Sequence, residues 1–234
     1  MKLNRILGGV DKVIKVSWFR TIYFNLHYLP IKQAIKMPIL LFGASLETLS
    51  GKVVLHGKIR FGMVQLGYDQ IPLFKKGNSI RLGIGNNAIL EFTDKCIIGS
   101  QSALSVGGIL KFGSNFSATL GLNVVCKESV IFGADCMIGW NNLFMDSSQH
   151  CLKRIQDNQK VSKPTKPILI GSNCWITSNC IFLPGSVIPN KCIVSAGSVV
   201  NTNFSNEDEG TIFSGNLASS LRKGFWVDKN DCAF

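Results

Sequence analysis

The chain is poor in histidine, in acidic residues and in proline. Its 234 residues hold three histidines, 14 Asp plus Glu and seven prolines, against 25 Lys plus Arg. Three scattered histidines, His27, His56 and His150, do not readily build a three-imidazole zinc site. The eight cysteines contain no C-x-x-C pair, so no metal is expected. No apolar run reaches the roughly 18 to 20 residues that span a bilayer, and Met37–Ala44 is much too short. Lys2 and Arg5 are followed by no continuous apolar core with a small-residue cleavage site, so the expectation is a cytoplasmic chain. The formal charge of +11 points to an anionic partner: a nucleotide-bearing cofactor, an anionic lipid surface or nucleic acid. No nucleic-acid reading motif is present, so nucleic acid is not expected.

What the chain has is a period of six. Ile170, Ile176, Phe182, Ile188, Val194 and Val200 recur at that spacing, and Cys174, Cys180, Ser186, Cys192 and Ser198 follow the first five at a fixed offset of four. A helix would space its apolar residues by three and four, and a flat strand would alternate by two. Short strands joined by bends and wound into a parallel coil satisfy period six. With three hexads per coil of about 18 residues, Ile170 lies beneath Ile188, and strands stack about 4.8 Å apart. The branched aliphatic fills the face, and the small residue sits where the wall bends. Gly171, Gly185 and Gly197 fall at or near bends, where positive φ is least strained in glycine. Most cysteines then become wall residues: Cys96 and Cys136 sit at the same small position of their hexads.

Earlier hexads read through Ile84, Phe92, Ile98, Leu104, Leu110, Leu120, Cys126, Phe132, Ile138 and Phe144. Slips near residues 90 and 112–118 imply two-residue insertions at bends. Gly83 to Ala88 mimics a dinucleotide fingerprint, but strands rather than a helix follow it. Tyr68 to Gly77 reads as a loop or lateral excursion. The organisation expected is a basic amphipathic cap over 1–50, a β-helix over 51–202 with an inserted loop at about 145–167, and a C-terminal loop and short segment over 203–234. In the cap, Lys2, Arg5, Lys12, Lys15, Arg20, Lys32 and Lys36 face only Asp11 before residue 40. Two readings stay open there: a mainly helical cap over one end of the coil, or contact of residues 1–40 with an anionic membrane at its inner face.

The ladder breaks between Phe144 and Ile168, where the inserted residues are polar and include His150. A loop this long in a regular solenoid is usually functional or disordered. Its flanks, Phe144-Met145-Asp146-Ser147-Ser148-Gln149-His150 and Lys166-Pro167-Ile168-Leu169-Ile170-Gly171 before Cys174-Trp175-Ile176, resemble the active-site segment of the hexapeptide-repeat O-acetyltransferases. Among these are maltose and galactoside acetyltransferases and those that decorate capsular and other surface polysaccharides. The resemblance covers most of residues 80–225 and extends to Ala196-Gly197-Ser198-Val199-Val200 and Gly215-Asn216-Leu217-Ala218. It implies an all-β, left-handed parallel β-helix; the left hand comes from the family alone.

The resemblance further implies acetyl-CoA as acyl donor, a carbohydrate acceptor and a homotrimer with sites between neighbouring coils. His150 is then the catalytic base, Trp175 lines the acyl pocket, and Ser178 and Ala196 offer backbone groups to the pantetheine arm. Imidazole suits the task of taking a hydroxyl proton near neutral pH. Asn142 is a candidate oxyanion donor, and Asp146 either orients the imidazole or binds the acceptor. The family's lysine after Val200 is replaced by Asn201-Thr202-Asn203 and the acidic Glu207-Asp208-Glu209, leaving Arg222 and Lys223 as substitutes for the CoA phosphates. Cys151 beside His150 is a weaker nucleophile candidate, with nothing in the sequence to lower its pKa. Two further readings stay open: N-acetylation of a nucleotide-linked amino sugar, and a non-catalytic β-helix scaffold.

Overall fold

A computed structural model describes residues 13–68, 80–151, 154–155 and 164–224. The expected excursion after Tyr68 and most of the inserted loop lie outside these residues. Three parallel sheets form the faces of a prism, here called A, B and C. Face A runs β1(Ile39–Leu41), β4(Val64–Leu66), β7(Cys96–Ile98), β10(Phe116–Ala118), β13(Met137–Ile138), β16(Trp175–Ile176), β19(Ile193–Val194), β21(Ile212–Ser214) and the antiparallel β22(Ser219–Arg222). Face B runs β2(Ser45–Leu49), β5(Arg81–Ile84), β8(Ala103–Val106), β11(Asn123–Cys126), β14(Leu143–Met145), β17(Ile181–Phe182) and β20(Val199–Val200). Face C runs β3(Lys52–Leu55), β6(Ile89–Phe92), β9(Ile109–Phe112), β12(Ser129–Phe132), β15(Ile168–Ile170) and β18(Val187–Ile188). The chain visits A, B and C in turn, and each strand pairs with the one a coil earlier. This is the parallel β-helix expected from the hexads, with the left hand of the hexapeptide-repeat fold.

The expected register holds in the last coils. Ile170 pairs with Ile188, Trp175 with Ile193 and Ile181 with Val199, each 18 residues on. Earlier coils are longer: Ile89 pairs with Ile109 and Asn123 with Leu143, 20 residues on. The two additional residues lengthen the strands of face B. β8 turns both Leu104 and Val106 inward, and β11 both Val124 and Cys126. This corrects the expected slip at 112–118: the ladder passes through Ala118 and Val124, and Leu120 lies at a corner, only partly buried. Cys126 had matched the six-residue phase because it fills the additional inward position.

Gly185 and Gly197 have positive φ, as expected of bends. Gly171 does not: a Cβ there would come within 2.6 Å of Asn190 N on the next coil. Gly133, one coil earlier, would meet Ser172 N at 2.5 Å. These glycines permit close stacking of coils rather than an unusual turn. At the corners between C and A, left-handed backbone falls on Asn115, Asp135 and Asn173, whose short polar side chains favour it, and on Lys191. Gly83 to Ala88 spans the corner from β5 to β6, with strands on both sides.

The coil starts at Ile39, ahead of the expected boundary at 51, since β1 and β2 already pair with β4 and β5. It also continues past 202, where β21 extends face A. Among the described residues, helices α1(Trp18–Tyr28) and α2(Ile31–Ala34) precede it. Pro30 separates them, holding Leu29 extended. Among the described residues no helix is long and apolar enough to cross a membrane, a finding that does not bear on β-barrels.

Candidate active site

The inserted loop leaves the coil where face B narrows. Ile84 pairs with Val106 and Val106 with Cys126; Asp146 comes next in this third inward column, and β17 above has no counterpart. Asp146 is fully buried. Its Oδ1 accepts from Lys127 N at 2.7 Å, and its Oδ2 accepts from Glu128 N at 2.8 Å and Ser129 N at 2.7 Å. Negative charge is stabilised by this ring of backbone donors. The same carboxylate, after burial itself, helps push the Cys126 thiol up to about 12. Asp146 is therefore the anchor of the loop: it fixes the corner beneath, and neither reaches a ligand nor orients His150.

Asn142 is also fully buried. Its Nδ2 donates to Thr177 O at 2.7 Å, and its Oδ1 accepts from Cys180 N at 2.8 Å. With both ends of the amide used inside the wall, it is not an oxyanion donor. The sequence carried the signal: Asn142 follows Ile138 by four, the offset of the small inward residues. Beyond Asp146 the two ends of the loop are tied together. Lys166 N donates to Asp146 O and Ser148 N to Pro164 O, both at 2.9 Å, and Ser147 forms a bridge with Thr165. Thr165 Oγ1 donates to Glu128 Oε2.

This tied base presents His150, which is exposed. The other two histidines are engaged. His27 Nε2 lies 2.9 Å from Leu49 O, with its ring against Tyr23 and Tyr28. His56 Nε2 lies 2.9 Å from Glu91 Oε1. No bond engages the His150 ring among the described residues; only its backbone carbonyl is used, accepting from Ser148 Oγ at 2.9 Å. Cys151 is exposed, while the other described cysteines are buried free thiols. The neighbouring Cys136 thiol and burial push Cys174 upward, and burial pushes Cys96 upward. These cysteines pack the wall.

Trp175, Ser178 and Ala196 gather along one edge. Trp175 is partly exposed on face A, and Ser178 and Ala196 lie at the A-to-B corner of successive coils. The corner is open: a Cβ on Gly197 would meet nothing within 4 Å. Ser178 Oγ accepts from Trp140 N at 3.3 Å, which ties the indole-bearing turn below to this edge. The N–H groups of Ser178 and Ala196 find no partner among the described residues. His150 follows β14, at the end of face B opposite this corner. Clefts of about 300 Å³ and about 410 Å³ open on the surface, and none of His150, Trp175, Ser178 or Ala196 lines either.

Lys223 does not stand ready for a phosphate. Its Nζ lies 3.0 Å from both Glu207 and Asp208, which hold its ammonium above the ordinary lysine range. Lys191 likewise pairs with Glu209 at 2.6 Å. The acidic run therefore consumes the cations nearest to it. Arg222 is exposed on β22, opposite Ile212, and no bond engages its guanidinium among the described residues.

No protein-family model matches the chain. In fold it resembles the polySia-specific acetyltransferase NeuO, with a TM-score of 0.63 over 81% of this chain and 74% of that one, at 16% identity. The two chains share the parallel β-helix fold. In sequence it is similar, over part of its length, to two Escherichia coli K12 proteins. It is 29% identical over 96 residues to galactoside O-acetyltransferase, covering 41% of this chain and 46% of the relative. It is 26% identical over 126 residues to WbbJ, by name a lipopolysaccharide-biosynthesis O-acetyl transferase, covering 50% and 61%. The chain thus spans about half to three fifths of the length of the curated relatives it matches.

Proposed function

We propose that the protein transfers an acetyl group from acetyl-CoA to a sugar hydroxyl, in the making of a surface polysaccharide in the cytoplasm. The observation that carries this reading is His150: an exposed imidazole with no partner among the described residues, held on a loop base that Asp146 pins from within. The O-acetyltransferase names of the two sequence relatives support the reaction class. The open corner fits the donor, since the unpartnered N–H groups of Ser178 and Ala196 suit amide carbonyls of an extended arm and Trp175 offers an apolar surface beside them. Arg222 is the candidate for its phosphates, since the charge of Lys223 is already met by Asp208 and Glu207.

When bound, acetyl-CoA supplies a thioester carbonyl open to attack. His150 removes the proton of the acceptor hydroxyl as its oxygen forms the ester bond to the acetyl carbon. The carbon–sulfur bond breaks, and the proton passes from His150 to the departing thiolate. Direct transfer needs no nucleophile on the enzyme, so Cys151 is spared. The separation of His150 from the Trp175 edge within one chain supports a homotrimer in which a neighbour's edge faces the loop.

Thiol release from acetyl-CoA in the presence of galactosides and surface glycans tests the reading. His150→Ala should lower the rate by about 10²–10⁴-fold, the usual worth of a general base, with the melting temperature unchanged. An equal rate in the variant removes His150 from the mechanism, and an alkali-stable product would indicate an amide instead of an ester.

A further inference from the structure

Helix α1 is mounted with its polar side inward. Thr21 and Asn25, with Ser17 one turn before, occupy one face and take the place of a missing strand beside β1. Leu41 N donates to Thr21 Oγ1 at 3.0 Å, Ile39 N to Asn25 Oδ1 at 3.2 Å, and Asn25 Nδ2 to Ile39 O at 2.7 Å. Gly43 N donates to Ser17 Oγ at 3.0 Å. The edge of face A is thereby satisfied by side chains, and Phe24 fills the space between helix and coil.

The consequence lies on the opposite face. Phe19, Ile22, Tyr23 and Leu26 follow the spacing of a helical apolar stripe, yet they are exposed by 86%, 41%, 48% and 50%. Packing on the chain's own core does not account for them, because the helix already docks by its other side. Ile31 and Ile35 on and beside α2 are exposed as well, by 63% and 66%. Between residues 13 and 46 the sequence has Lys15, Arg20, Lys32 and Lys36 and no Asp or Glu; Arg20, Lys32 and Lys36 are exposed.

We propose that α1 lies in the plane of an anionic lipid surface. Phe19, Ile22, Tyr23 and Leu26 enter the boundary between headgroups and acyl chains, and Arg20, Lys32 and Lys36 sit against anionic headgroups. A membrane surface supplies apolar depth and negative charge together. A second copy of the chain supplies only the first: two such faces in contact would bring cations together with no acidic residue of this segment between them. Docking in this way turns the β1 end of the solenoid toward the lipid.

The test uses the full chain and two sets of vesicles, phosphatidylcholine alone and phosphatidylcholine mixed with phosphatidylglycerol. Co-sedimentation is expected with the anionic set only and should weaken as salt is raised. Phe19→Ser combined with Leu26→Ser should reduce the bound fraction about tenfold by removing inserted apolar area. Arg20→Gln with Lys32→Gln and Lys36→Gln should abolish the preference for anionic vesicles. All these side chains are exposed, so thermal melting should be unchanged, and so should turnover with a soluble acceptor if acetyl transfer is found. Equal binding to both vesicle sets, or undiminished binding by the Phe19/Leu26 variant, overturns the proposal. So does a change of assembly state in that variant without lipid, since a second copy would then be what covers the stripe.

Discussion

The carboxylate of Asp146 has three of its roughly four acceptor positions taken by backbone N–H groups. Removing it would leave those donors without a partner at a half-buried corner. Asp146→Ala should therefore lower the unfolding free energy by about 2–4 kcal/mol, read as a reduced urea midpoint. His150→Ala, at an exposed position, should stay within about 0.5 kcal/mol of the parent chain. The two changes separate anchoring from chemistry in one loop. In the sequence, Asp146 and His150 both read as polar members of a single insertion with a part in the site. Only burial, which depends on the column below Asp146, sets them apart.

Successive coils of the solenoid approach closely at the corner after face C, where Gly113, Gly133 and Gly171 follow one another. Gly133→Ala places a Cβ 2.5 Å from a backbone nitrogen that belongs to the next coil and has no side-chain freedom to yield. A loss of about 2–3 kcal/mol is expected, the scale of overpacking in a tight core. Gly197→Ala is a useful contrast. Its Cβ meets open space, but φ is +73°, so the cost should be about 1 kcal/mol from backbone strain alone. Thermal melts of the two variants, compared with the parent, check the order. Period and residue size made Gly171 and Gly197 alike look like bend residues, and sequence had no means of telling a turn from a steric contact with the next coil.

For the whole molecule, the opposite placement of His150 and the Ala196 edge makes the proposed assembly testable by mixing. His150→Ala chains lack the base, and Ala196→Trp chains carry a bulky ring at the donor edge. Each alone should be inactive. If sites form between protomers, co-refolded mixtures should recover part of the parent's thiol release, because some sites then combine an intact histidine with an intact edge. A mixture no more active than its components would place the complete site within a single chain. The charge of the molecule divides in a similar way. The acidic run at 207–209 is met by Lys191 and Lys223, whereas Arg20, Lys32 and Lys36 lie in a segment without acidic residues.

Residue types and their spacing were enough to reveal the parallel coil, its 18-residue register in the last turns, the wall role of the cysteines, and the place where the ladder breaks. Those features depend on which residue types recur at which spacing, and spacing is a property of the chain. It took the folded chain to show that Asn142 and Asp146 belong to the wall, that Lys223 is already paired, that the coil begins at Ile39, and that α1 turns its apolar stripe outward. Each of these depends on what a neighbouring coil supplies to a backbone N–H, a carboxylate or a strand edge. Such partners lie between 14 and 38 residues away along the chain, and no local pattern of residue types records them.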